Sequence, residues 1–205
     1  MGKANEIKEK YGYGYEIDVR IKPISQITLE EIFEKYNWDK NVLVNMENVE
    51  NILNTMNKRY FIEELKEGRL GSRIKKAIDL NGDVSIYTII NWIFFVENAI
   101  KFIQKGKNYF EEIILAEHIE NNFLFKMKKG NCTKSIGFFF GLFEESKEEC
   151  HVTEYSIQQT SLEQIFNKFS SNQGKNNSYI EQEENILEEN KLIVVDEDLF
   201  SNVLI

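Results

Sequence analysis

The stretch Glu154–Ser170, EYSIQQTSLEQIFNKFS, sets the frame for the whole chain. Tyr155 and Ile157 alternate with polar neighbours as in a half-buried strand. Thr160 and Glu163 follow at capping-box spacing, where each side chain satisfies an orphan backbone donor at the start of a helix. Leu162, Ile165, Phe166 and Phe169 then recur at i, i+3, i+4, i+7, one apolar stripe. The expectation is a strand, a tight turn and a docked helix.

Working outward, Tyr15, Ile17, Val19 and Ile21 alternate with Glu16, Asp18, Arg20 and Lys22, a strand with one buried face. Pro23, the chain's single proline, ends it. Thr28 and Glu31 form a second capping box, and Leu29, Ile32, Phe33 and Tyr36 give a short amphipathic helix. Residues 38–107 read as three or four helices with no strand signal. Their stripes are Val49/Ile52/Leu53/Met56, Phe61/Ile62/Leu65 and Leu70/Ile74/Ala77/Ile78, and after the Asn81-Gly82 break Ser85 is placed to cap a last helix centred on Trp92. Glu112–Ile119 and Phe123–Lys128 flank a hairpin-length turn at Glu120-Asn121-Asn122. Ser135 opens a helix with the stripe Ile136, Phe139, Phe140, Phe143, whose phenylalanines are expected beneath the sheet. Without the helical stretch the order is β-α-β-β-α-β, so the fold class is α+β, a ferredoxin-like plait. The helical insertion falls between the first helix and the second strand, and a C-terminal helix and tail follow. The domain reading is 1–36 with 108–170 for the plait, 37–107 for the insertion and 171–205 for an acidic, partly disordered tail.

Two segments at the edges of the plait carry a resemblance. Y-S-I-Q-Q-T-S-L-E-Q-I-F-x-x-F, from Tyr155 to Phe169, resembles the segment that ends the cytosolic regulatory domain of A-subfamily ABC transporters, the lipid exporters. IKEKYGYGYEIDVRI, Ile7 to Ile21, is similar to the segment that follows the nucleotide-binding domain in the same family. About half the chain is covered, and the residues that match are Gly12, Gly14, Tyr15, Tyr155, Ser156, Gln159, Thr160, Leu162, Glu163, Phe166 and Phe169. The resemblance implies a regulatory and coupling domain at the cytosolic face of a membrane, carried here without its ATPase. Its implied partners are the nucleotide-binding domains and a second regulatory domain of the same transporter, and ATP and Mg belong to that parent. Some seventy residues intervene where better-known members pass quickly to the next strand, so the middle inherits no functional residue.

The 205 residues carry a net charge of −9, 42% hydrophobic and 13% aromatic residues. Fifteen Phe and nine Tyr are ample for a core. Residues 171–205 hold eight Asp/Glu against two Lys, a balance of −6 that leaves −3 elsewhere. Neither part offers the basic field of a nucleic-acid binder or a polybasic membrane footprint. Leu192–Val195 and Leu199–Phe200 are apolar and are expected to dock on the plait or on a neighbouring motor domain. The run Ile86–Val96 falls short of a bilayer span and is expected to be a buried helix in a soluble chain. The N-terminus has no secretory h-region, and Glu6 stands where a myristoylation signal needs Ser or Thr. Cys132 and Cys150 are expected to be reduced thiols.

No catalytic residue, cofactor or metal site is expected in this chain. There is no G-x-x-x-x-G-K-[ST], no signature motif and no Walker B strand, and Gly12-Tyr13-Gly14 precedes a strand rather than following one, as a flexible turn would. Asp79, Asn81 and Asp83 mimic a calcium loop, but Val84 and Ile90 fall where it needs Gly and a bidentate Glu. His118, Cys132, Cys150 and His151 lack zinc spacing, and Cys150-His151 on a strand would point to opposite faces. Glu144-Glu145 and Glu148-Glu149 read as a solvated helix end. The rival functional readings are a free-standing ferredoxin-like sensor of a small ligand or a protein-interaction module, and an enzyme using His118 or His151.

Overall fold

The strand that begins at Tyr15 buries Tyr15, Ile17, Val19 and Ile21 and exposes Asp18 and Arg20, as its alternation requires. In the computed structural model, which describes residues 14–67, 69–159 and 161, the elements run in the order β1 (Tyr15–Ile21), α1 (Gln26–Tyr36), β2 (Leu43–Val44), α2 (Met46–Thr55), α3 (Phe61–Glu64), α4 (Ser72–Asn81), β3 (Val84–Ser85), α5 (Ile86–Gln104), a 3-10 turn at Lys107–Tyr109, β4 (Glu112–Ile119), β5 (Asn122–Lys128), α6 (Ile136–Ser146) and β6 (Val152–Gln159). The described residues divide into two compact units, 14–21 with 99–159 and 161, and 22–67 with 69–98.

The first unit is an α+β plait. Its sheet has the order β4-β5-β1-β6, and every neighbouring pair is antiparallel. The chain passes from β1 to β4 with β5 left between them, and from β5 through α6 to β6 with β1 left between them, the split β-α-β arrangement of ferredoxin-like folds. Ile17 lies between Phe125 and Ile157, and Val19 between Phe123 and Tyr155. This gives one continuous apolar face, against which α6 sets Phe139 and Phe143, both fully buried. The hairpin turn is tied to the end of β1 in both directions. The Ile21 N–H donates to the Asn121 carbonyl at 2.9 Å, and Asn121 Nδ2 donates to the Ile21 carbonyl at 2.7 Å.

The helical stripe of α6 is narrower than its spacing suggests. Phe139 and Phe143 are in the core, whereas Ile136 and Phe140 are exposed. The helix meets the sheet along one line, and Ile136 and Phe140 lie round the cylinder from it. The last turns of α5 also belong to this unit, because Phe102 packs on Phe143 and Tyr155 with ring centres 4.9 and 5.4 Å apart. The boundaries fall at Ile21/Lys22 and Asn98/Ala99, where the spacing suggests 36 and 107.

The second unit is mostly helical. Leu29 and Phe33 of α1, Val49, Ile52 and Leu53 of α2, and Ile74 and Ile78 of α4 are buried on the expected stripes. Two corrections apply. Helix α1 starts a turn earlier than its Thr28–Glu31 pair suggests, because Ser25 Oγ accepts the Thr28 N–H at 3.1 Å and acts as the cap. The stretch is also not wholly helical, since Leu43 pairs with Ser85 and Val44 with Val84 in a small antiparallel ribbon. Two-residue strands are too short to show a period. Among the described residues α5 is the helix long and apolar enough to cross a membrane, and its buried residues run along its length as in a core helix. Its two asparagines are answered within the helix, Asn91 Nδ2 donating to the Tyr87 carbonyl and Asn98 Nδ2 to that of Phe94.

Candidate partner-docking site

The described parts of the two segments that carry the family resemblance, Tyr15–Ile21 and Tyr155–Gln159, are neighbours in space. Strands β1 and β6 pair antiparallel from Tyr15 opposite Gln159 to Ile21 opposite Val152, with Ser156 facing Asp18 and Tyr155 facing Val19. A bulge at Arg20/Ile21 absorbs the extra residue at the far end. Tyr15 is buried beside Phe110 and Phe139. Tyr155 packs on Phe102 and donates its hydroxyl to the Phe140 carbonyl at 3.0 Å, which ties β6 to α6. Burial, with the Glu144 carboxylate nearby, pushes the Tyr155 phenol up to about 12, so it stays a neutral donor.

Gly14 is a close-approach residue rather than a flexible turn. Its φ is +114°, and a Cβ there would overlap the Met127 carbonyl oxygen and stand 2.9 Å from the Lys129 nitrogen. Gly14→Ala is therefore expected to cost about 1–3 kcal/mol from backbone strain alone, with more from the clash, read as a lower urea midpoint at unchanged slope. A change near zero would show that β1 enters the sheet without this constraint. Gly12, Thr160, Leu162, Glu163, Phe166 and Phe169 lie outside the described residues, as do the stretch expected to form a C-terminal helix and the apolar segments of the tail.

The outer face of the sheet is polar. Asp18, Arg20, Glu117, Ile119, Leu124 and Glu154 line a shallow groove of about 370 Å³. Arg20 pairs there with Glu154 and donates to Asn122 Oδ1 at 2.8 Å. A second, wider cleft of about 730 Å³ runs between Asn108–Glu111 and Lys129–Lys134. The second is lined by Cys132 together with Glu111, Lys129 and Lys134.

The soft ligands are dispersed. Cys150 is fully buried and its thiol is raised by that burial, and Cys132 is half-buried; both are free. His118 stacks on Phe123 at 4.3 Å, with Nε2 2.7 Å from the Glu120 carbonyl. His151 sits in the turn before β6 at φ +51°, so the strand geometry expected for Cys150-His151 does not apply. Among the described residues no three His, Cys, Asp or Glu side chains group as metal ligands. Asp79, Asn81 and Asp83 bracket the end of α4, where Gly82 at φ +87° turns the chain.

Sequence reasoning missed two polar clusters in the helical unit. Lys58 and Tyr60 both reach Glu97 Oε1, the phenol at 2.7 Å, and Glu64 lies buried beside Arg69. Nothing in the spacing of these residues marks them. No family model matches the chain, and neither a curated protein nor a solved structure does.

Proposed function

We propose that this chain is a cytosolic regulatory domain of an A-subfamily ABC transporter, a non-catalytic part that couples ATP-driven motor domains to lipid movement. The observation that supports this reading most is the pairing of β1 with β6. Segments some 130 residues apart in sequence, each similar to one edge of that domain, lie side by side with Tyr15 opposite Gln159. A coupling element needs its two connections rigidly joined, and a shared ladder of backbone hydrogen bonds does that. In this reading the chain packs on the nucleotide-binding domains and on a second regulatory domain, and ATP and Mg bind in the motor.

Two measurements test it. Calorimetric titration of the purified chain with MgATP is expected to give no saturable heat, and saturable binding overturns the non-catalytic role. The frame upstream of Met1 in the gene is expected to encode a phosphate-cradling G-x-x-x-x-G-K-[ST] and the transporter signature. A frame without them removes the coupling role and favours a free-standing module.

A further inference from the structure

We infer that the solvent face of α6 is a self-association surface on which two copies of this chain pair antiparallel. This rests on the helix itself and not on the coupling role proposed above.

Ile136, Gly137, Phe140, Gly141, Glu144 and Glu145 are all exposed and fall at i, i+1, i+4, i+5, i+8, i+9, a single outward face. Its upper two-thirds is apolar, with Ile136 37% and Phe140 41% exposed. Between them the two glycines leave a smooth strip. A Cβ at Gly141 would meet nothing within 4 Å, and one at Gly137 only Ser135 Oγ at 3.8 Å. The monomer's packing therefore does not require glycine at either place, although each costs about 1 kcal/mol of helix stability relative to alanine.

The charges at the two ends single out the occupant. Lys134 stands at the N-terminal end of the helix and Glu144 and Glu145 at its C-terminal end. Both placements oppose the helix macrodipole, which favours acids at the start and bases at the end. Glu144 has Lys147 at 3.8 Å and Lys134 Nζ lies over the Phe138 ring at 4.8 Å, but neither Lys134 nor Glu145 makes an ion pair among the described residues. A second copy of the same helix, related by a two-fold axis near Phe139, reverses the order of charges. Lys134 then meets Glu144 and Glu145 of the second copy, and the symmetry makes that contact twice. The same register sets Gly137 against Gly141 of the second copy. The backbones approach closely there, and each Phe140 covers the other copy's glycine strip. The two macrodipoles run antiparallel. A membrane surface suits Ile136 and Phe140 but not the two carboxylates beside them.

Sedimentation velocity of the full chain over a concentration series tests the pairing. A monomer–dimer equilibrium that weakens with added salt is expected. Gly141→Leu should abolish the dimer while leaving the thermal midpoint unchanged or raised, because leucine favours the helix and its Cβ enters open space. Lys134→Glu and Glu145→Lys should each weaken dimerisation about tenfold, since each pair counts twice, and the double variant should restore most of the loss. A chain that stays monomeric throughout overturns the proposal. So does a dimer indifferent to Gly141→Leu, which would use another surface. Binding to phosphatidylserine vesicles that Gly141→Leu removes, without any dimer, would give the face to lipid instead.

Discussion

Truncating Phe143 to alanine is expected to lower the stability of the first unit by about 3–5 kcal/mol. The ring is fully buried and joins three elements. It lies on α6, touches Phe102 of α5 with centres 4.9 Å apart, and faces Tyr155 of β6 at 6.4 Å. The cavity has little freedom to close, because the neighbours that would move in are held by the sheet ladder and by the Tyr155 hydroxyl on the Phe140 carbonyl. Urea melts measure the effect, with Phe140→Ala on the half-exposed flank of the same helix for comparison, expected to cost clearly less than Phe143→Ala. Equal losses at the two positions would mean that α6 does not distinguish an inner from an outer face.

Arg69→Ala is the second large effect, and it depends on pH. The Glu64 side chain is only 3% exposed, its Oε1 lies 3.3 Å from the Arg69 guanidinium, and its Oε2 has no hydrogen-bond partner. Burial raises the Glu64 carboxyl above its usual value, while Arg69 holds it back down. Removing the arginine strands a buried carboxylate, which costs about 3–5 kcal/mol where that carboxylate is ionised. The sign follows from the raised value. A carboxyl that binds its proton more tightly when folded contributes stability below its unfolded pKa and loses it as pH rises through the folded one. The variant should therefore be far less stable than its parent at pH 8, and the gap should narrow toward pH 5 as Glu64 takes up a proton. Glu64→Gln in the same background should flatten that dependence. A gap that stays constant from pH 5 to pH 8 would show that Arg69 acts by packing alone.

The plait was legible because its signals are periodic. The alternation of Tyr15 to Ile21 and of Phe123 to Met127 is a period-two pattern long enough to read, and the first segment pairs with the second on one side and with the strand around Tyr155 on the other, in one antiparallel sheet. Period alone does not give the width of a buried stripe. Ile136 and Phe140 share the spacing of Phe139 and Phe143, yet they clear the sheet because a helix meets it along a line rather than a full half-cylinder. The ribbon of Leu43–Val44 and Val84–Ser85 was invisible for want of length. The buried Glu64 was invisible because a carboxylate reads as surface until its surroundings are known. Of the motif residues, Tyr15, Tyr155, Ser156 and Gln159 meet along one ladder, a proximity that linear spacing does not contain.

Strand β1 lies in the interior of the sheet but is the first of its strands to leave the ribosome. Both of its neighbours, β5 and β6, are more than a hundred residues downstream. At roughly 5–20 residues per second, synthesis of the intervening chain takes on the order of ten seconds. During that time the nascent strand carries Ile17, Val19 and Ile21 with both backbone edges unpaired, the condition under which strands join wrong partners. The residues from Lys22 to Asn98 meanwhile form a compact unit of their own. The plait is thus made from the middle strand outward in space but from the last strand backward in time. Its yield in a cell depends on how well the waiting Tyr15–Ile21 segment is shielded until Gln159 has been synthesised.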